Sequence, residues 1–121
     1  MTVVDTSVWI EYLKGNREIG RVLDQMLVNR EVMAVSAVFG ELLQGAGNNR
    51  ERTFIMGFWE NLPSATETGI FLKAGNLSFE YKLFALGVGL IDCYILAFAL
   101  ENDCAIWTLD KMFHKAMDLI G

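Results

Sequence analysis

Histidine is almost missing from this chain: His114 is the only one among 121 residues. A lone histidine supplies no histidine-built zinc site and points to no histidine-based catalytic triad. His114 reads instead as a surface or partly buried helical residue. Cysteine is nearly as scarce. Cys93 and Cys104 make no disulfide framework and read as free, buried thiols. Proline occurs once, at Pro63, so any strand there is short and lies at a sheet edge. Cations are in deficit, with 10 lysines and arginines against 15 acids and a net charge of -5. That balance excludes a general nucleic-acid coat protein, whose footprint is basic. It does not exclude a nuclease, because bound cations would neutralise part of an acidic site. Long apolar runs are missing too. The longest, Leu90 to Leu100, is too short to span a bilayer and carries Asp92. No basic segment followed by a long apolar run marks a signal peptide. The expected compartment is therefore the cytoplasm, with no membrane association.

What the chain does have is a core. Hydrophobic residues make up 53% of it, and the length suits one compact domain over residues 1–121. Thr2-Val3-Val4 is a short β-branched strand, followed by a helix from about Ser7 to Leu13 that Gly15-Asn16 breaks. Ile19, Val22, Leu23, Met26 and Leu27 recur at helical spacing. Glu31 to Val35 reads as a second strand, and Ser36 opens a helix that runs to about Gly45. Asn48-Asn-Arg-Glu-Arg reads as a polar turn before a helix over Thr53 to Asn61. Leu62 to Ala65 allows a short edge strand. Thr66 or Thr68 suits the cap of a helix over about Gly69 to Phe84. Leu90 to Asn102 is a helix apolar nearly all round, which implies burial on several sides. Cys104 to Trp107 is a strand and Met112 to Leu119 a last helix. Short apolar strands alternating with helices predict an α/β fold, a parallel sheet covered by helices on both faces. Such sheets bind ligands beyond the carboxyl ends of their strands.

Four acids stand in distinctive contexts. They are Asp5 in Val-Val-Asp-Thr-Ser, Glu41 in Phe-Gly-Glu-Leu-Leu-Gln-Gly, Asp92 in Gly-Leu-Ile-Asp-Cys-Tyr, and Asp110 in Trp-Thr-Leu-Asp-Lys. Asp5 and Asp110 follow strands whose carboxyl ends share one sheet edge. Asp5 also suits a helix cap, although Thr6 and Ser7 can do the same. Glu41 reads as an ordinary helical glutamate, except that Ala37, Val38, Gln44 and Gly45 offer it no cation. Asp92 is the only charge between Gly89 and Leu100. The helix macrodipole favours it there by about 0.3–1 kcal/mol, less than the several kcal/mol that burying an unpaired carboxylate costs. Asp110 suits a turn or a cap as well, and Thr108 shares its loop. Carboxylates so placed call for a positive partner. Hard oxygen ligands suit magnesium or manganese, which points to metal-dependent phosphodiester chemistry. The tryptophans and eight phenylalanines read as core and interface material, and the lysines and arginines as mostly solvated.

Taken in order, these motifs resemble the PIN domain, and more narrowly the toxin nuclease of VapBC toxin–antitoxin pairs. The resemblance runs from Val3-Val4-Asp5-Thr6-Ser7 through Glu41-Leu42-Leu43-Gln44-Gly45 and Asp92-Cys93-Tyr94-Ile95-Leu96-Ala97 to Thr108-Leu109-Asp110. It implies a three-layer α/β/α fold, a homodimer, and a magnesium- or manganese-dependent endoribonuclease acting on structured RNA. It also implies a VapB-like antitoxin partner. By position, Asp5, Glu41, Asp92 and Asp110 match the family's metal-binding acids, and Thr6 and Thr108 its supporting hydroxyls. The chain departs from the family at Met112, where many relatives carry a further acid; this bears on a second metal site. Many relatives also have a fifth strand beyond the last helix. The chemistry expected is hydrolysis in which a cation activates water and polarises the phosphate, with one carboxylate free to accept a proton. Two rivals stand beside it. An aspartyl-phosphate phosphatase needs Asp-x-Asp early, and Ser7 occupies the second position. A non-catalytic PIN-like interaction domain would not require all four acids.

Overall fold

The computed structural model describes all 121 residues. Three strands form its sheet: β1 (Thr2–Val4), β2 (Val32–Met33) and β3 (Ala105–Trp107), in the order β2-β1-β3. Both pairings are parallel, with Val3 opposite Met33 on one side and Ile106 on the other. Successive strand residues face opposite sides of a sheet. Val3 and Val4 are 0% and 1% exposed, so both faces are covered and the fold has three layers. Burying each contributes on the order of 1.5–3 kcal/mol. The Asp5 N–H still bonds the Trp107 carbonyl at 2.9 Å, after which the chain turns into its first helix.

Seven helices surround the sheet: α1 (Thr6–Leu13), α2 (Arg17–Val28), α3 (Ser36–Gln44), α4 (Asn49–Asn61), α5 (Ile70–Tyr81), α6 (Leu90–Asn102) and α7 (Lys111–Ile120). Helix α6 is buried along Cys93 and Ile95 to Ala99, as its all-round apolar sequence requires, and packs on α5, α3 and β3. The two cysteines are free, Cys93 buried and Cys104 half-buried. No helix is long and apolar enough to cross a membrane.

Several boundaries differ from the sequence expectation. The second strand is only Val32–Met33, and the next residue, Ala34, bridges to Ser64. The polar segment after Asn48 is not a turn but the first turn of α4. Asn48 Oδ1 accepts from the Glu51 N–H at 2.9 Å, and Glu51 Oε2 accepts in return from the Gly47 N–H at 2.8 Å. Such reciprocal capping starts a helix inside a polar run. Helix α5 is capped by neither Thr66 nor Thr68; Gly69, with φ 77°, occupies that place. It stops at Tyr81 rather than Phe84. Lys82 adopts φ 55°, and the turn carries Leu83 into full burial before a 3-10 turn over Phe84–Leu86. The proline segment gives one parallel bridge, Ala34 to Ser64, at the β2 edge, where a missing N–H costs nothing. After β3 comes only α7, with no fifth strand.

Candidate active site

Trp9 decides how α1 meets α3 and α4. It is 1% exposed, and its ring centroid lies 5.6 Å from Phe39 and 5.0 Å from Phe58. Each such aromatic pair adds about 0.5–1.5 kcal/mol beyond the area it buries. This packing holds the start of α1 against α3, so Thr6 and Glu41 meet. The Thr6 hydroxyl donates to Glu41 Oε1 at 2.7 Å.

Asp5 is 4% exposed at the carboxyl end of β1. It sits at the N-cap position of α1, yet its side chain makes no capping bond; only its backbone carbonyl accepts, from Val8 and Trp9. The carboxylate turns away, toward β3. Its Oδ2 accepts from the Thr108 hydroxyl at 2.6 Å and from the Ser7 hydroxyl at 2.9 Å. Oδ1 has no hydrogen bond within the chain. No buried side-chain polar atom is left unpaired, so Oδ1 reaches the surface. Thr108 is 3% exposed and accepts from the Asp110 N–H at 3.1 Å, while Ser7 Oγ accepts from the Leu109 N–H at 3.1 Å.

Asp110 takes the local role its position also suited. Its Oδ1 caps α7, accepting from the N–H groups of Met112 and Phe113 at 2.8 and 3.2 Å. Oδ2 remains free and the residue is exposed. Asp92 lies in the first turn of α6, half-buried, with no donor on its carboxylate and no ion pair. Its pKa is raised to about 6, first by burial and then by the charges of Asp5, Asp110 and Glu41, in that order. The helix dipole that should lower it is outweighed.

The structure thus brings Asp5, Glu41, Asp92 and Asp110 into one field at the carboxyl edge of the sheet. Thr6 and Thr108 orient two of them. Sequence reasoning missed Ser7 as a second donor to Asp5; a hydroxyl two residues after the acid was its only signal. Neither ion pair of the molecule, Lys14–Glu11 or Lys73–Glu101, involves the four acids. No three of them stand close enough to grip an ion as they are. With no lysine or arginine among them, like charges repel, and an open arrangement follows. The donor set still fits a hard divalent cation. Every donor is an oxygen, and Asp5, Glu41 and Asp110 each keep one carboxylate oxygen unused.

A cleft of about 1250 Å³ runs from Glu41 between α1 and α4. Ile10, Leu13 and Phe54 line it and are 42%, 40% and 53% exposed, with Lys14 and Arg50 beside them. Trp59, by contrast, is half-buried against Phe39 at 5.6 Å and offers little free surface.

Comparison with known proteins bears on the family. The PIN domain family matches residues 2–119. Ribonuclease VapC32 of Mycobacterium tuberculosis strain CDC 1551 / Oshkosh is 30% identical over 120 residues, spanning 96% of this chain and 90% of the relative. Its counterpart in strain ATCC 25618 / H37Rv matches to the same extent. Among solved structures, FitAcB from Neisseria gonorrhoeae superposes with a TM-score of 0.65 at 19% identity, over 98% of this chain and 94% of that one. The last likeness speaks to fold alone.

Proposed function

The chain belongs to the PIN domain family, and from that membership we propose that it is a VapC-type endoribonuclease, the toxin of a toxin–antitoxin pair. It hydrolyses RNA phosphodiester bonds with magnesium or manganese, as a single nuclease domain over residues 1–121. The observation that carries this reading is Asp92: half-buried, without donor or cation, its pKa raised to about 6 by burial first and then by three neighbouring acids. A carboxylate kept in that state is costly to the fold and is relieved by a bound cation.

Some of the four carboxylates of Asp5, Glu41, Asp92 and Asp110 would hold that cation, which when bound supplies Lewis acidity and charge neutralisation at the scissile phosphate. The chain's own contribution is orientation. Thr108 and Ser7 occupy one oxygen of Asp5 and leave the other at the surface; Thr6 does the same for Glu41. Asp110 is fixed by its bonds to the α7 backbone. One carboxylate not engaged by the cation accepts the proton of the attacking water.

The cleft beside Glu41 supports an antitoxin as partner, with its apolar face on Ile10, Leu13 and Phe54 and a basic side chain reaching the acids. Arginine suits that task, since its fork binds carboxylates bidentately. Phe79 and Phe84, 84% and 87% exposed, are apolar surface that a second copy would cover in a homodimer. The direct test incubates purified protein with structured RNA in magnesium or manganese. Cleavage should cease with EDTA and return when manganese is restored. Cleavage that continues undiminished in EDTA would contradict the reading.

A further inference from the structure

We infer that His114, the chain's only histidine, is a positioning residue that fixes the loop carrying Thr108 and Asp110; the inference rests on the site proposed above. Its ring Nε2 lies 2.9 Å from the backbone carbonyl oxygen of Thr108. A carbonyl oxygen only accepts, so Nε2 carries the hydrogen. Both the neutral Nε2–H tautomer and the imidazolium keep that hydrogen, and the contact does not depend on the charge of the ring.

Asp110 is held by its own bonds to the α7 backbone, and three other residues, Asp5, Ser7 and His114, anchor Thr108 and Leu109. The Thr108 hydroxyl is anchored on Asp5 Oδ2, the Leu109 N–H on Ser7 Oγ, and the Thr108 carbonyl on His114. The first two reach toward β1, where the acids are. The His114 bond pulls from the side of α7, where Phe113 and Ala116 are fully buried and fix the helix's rotation. Releasing it leaves the Thr108 carbonyl without its partner on α7, while Asp110 two residues on keeps its bonds to the helix. The carbonyl then turns to solvent, and the peptide plane between Thr108 and Leu109 is free to tilt. That plane sets where the Thr108 hydroxyl meets Asp5 and where Asp110 leaves the strand. Residues holding first ligands in place typically change affinity or activity by about 10–100-fold when lost. His114 therefore acts through Thr108 and Asp5.

His114→Gln and His114→Asn separate this role from general stability. The glutamine amide reaches the place of ring Nε2; the asparagine amide stops one methylene short. We expect His114→Gln to keep kcat for RNA cleavage within about 3-fold of wild type, and His114→Asn to lose about 10-fold in kcat with KM unchanged. Amide hydrogen exchange in EDTA gives a readout independent of catalysis. Leu109 and Asp110 should exchange at least about 10-fold faster in His114→Asn, and as in wild type in His114→Gln. Equal behaviour of the two variants in both measurements would overturn the role of His114. If exchange separates them while wild type cleaves no RNA, the positioning stands and the nuclease reading is the one at fault. Should His114→Asn fail to fold, exchange in His114→Gln decides alone: protection at wild-type level supports the bond, and its loss overturns it.

Discussion

Thr6 on α1 and Glu41 on α3, 35 residues apart in sequence, share a hydroxyl-to-carboxylate hydrogen bond of 2.7 Å. It joins the first acid motif to the second, and it exists because Trp9 packs α1 onto α3. Replacing Thr6 with Val keeps the β-branched shape and removes the donor. Glu41 then loses its fixed orientation. RNA cleavage should fall by about 10-fold, with Thr6→Ser restoring most of it. Steady-state kinetics on the three proteins check this; equal rates would show that Glu41 needs no orientation.

Asp5 depends on hydroxyls more heavily, because it is buried. Thr108→Val removes one of the two donors to Oδ2. Leaving a buried carboxylate short of a donor costs on the order of 1–3 kcal/mol. Ser7→Ala should cost less, since Ser7 is half-buried and water can replace it. Urea unfolding of both variants measures the order. A larger loss in Ser7→Ala than in Thr108→Val would reverse the ranking of the two supports.

Asp92 gives a pH signature. Its folded pKa of about 6 lies above the ordinary 3.8, so the fold favours the protonated acid. The stability this contributes is fully present below pH ~4 and is lost as pH rises through ~6. In EDTA, Asp92→Asn should melt at or above wild type at pH 7, and the gap should close as pH falls toward 4. Magnesium should stabilise wild type by mass action and the variant less. Thermal melts at several pH values decide. A variant clearly less stable at pH 7, with an unchanged magnesium response, would make Asp92 a structural carboxylate.

The cleft predicts a separation of functions. Leu13→Asp places a charge on the apolar face beside Lys14, away from the carboxyl edge of the sheet. Inhibition by a cognate antitoxin should weaken by at least about 10-fold, the order expected of a buried apolar anchor. RNA cleavage by the free variant should stay near wild type. Titrating the inhibitor into a cleavage assay tests both. Unchanged inhibition would move the partner to another face.

Much of this was legible in the sequence, and what was not has physical causes. Val3-Val4-Asp5 reads as a strand with an acid at its end because β-branching and a charge speak locally. Asp92 stands out because a single charge in an apolar helix is expensive anywhere. The α4 start was hidden because Asn48 and Glu51 look like a turn until the bonds from the Glu51 N–H to Asn48 Oδ1 and from the Gly47 N–H to Glu51 Oε2 are seen. The end of α5 at Tyr81 is set by burial of Leu83, a tertiary demand that helical periodicity does not carry. Asp5 as an acid that sits at a cap position without capping could not be read either. The approach of Thr108, 103 residues away, joins Ser7 in turning its carboxylate. Asp110 went the other way: its capping role was local and visible, and it caps.

If the four acids form one site that cleaves RNA, the charge of Asp92 is indispensable to it. The most direct measurement is the cleavage rate of Asp92→Asn against wild type, on the same structured RNA in millimolar magnesium, with folding of both verified by their melts. Asparagine keeps the volume and removes the charge. The expected result is a folded variant slower by at least about 100-fold, the scale at which essential electrostatic groups act. A folded Asp92→Asn cleaving at near the wild-type rate would contradict it.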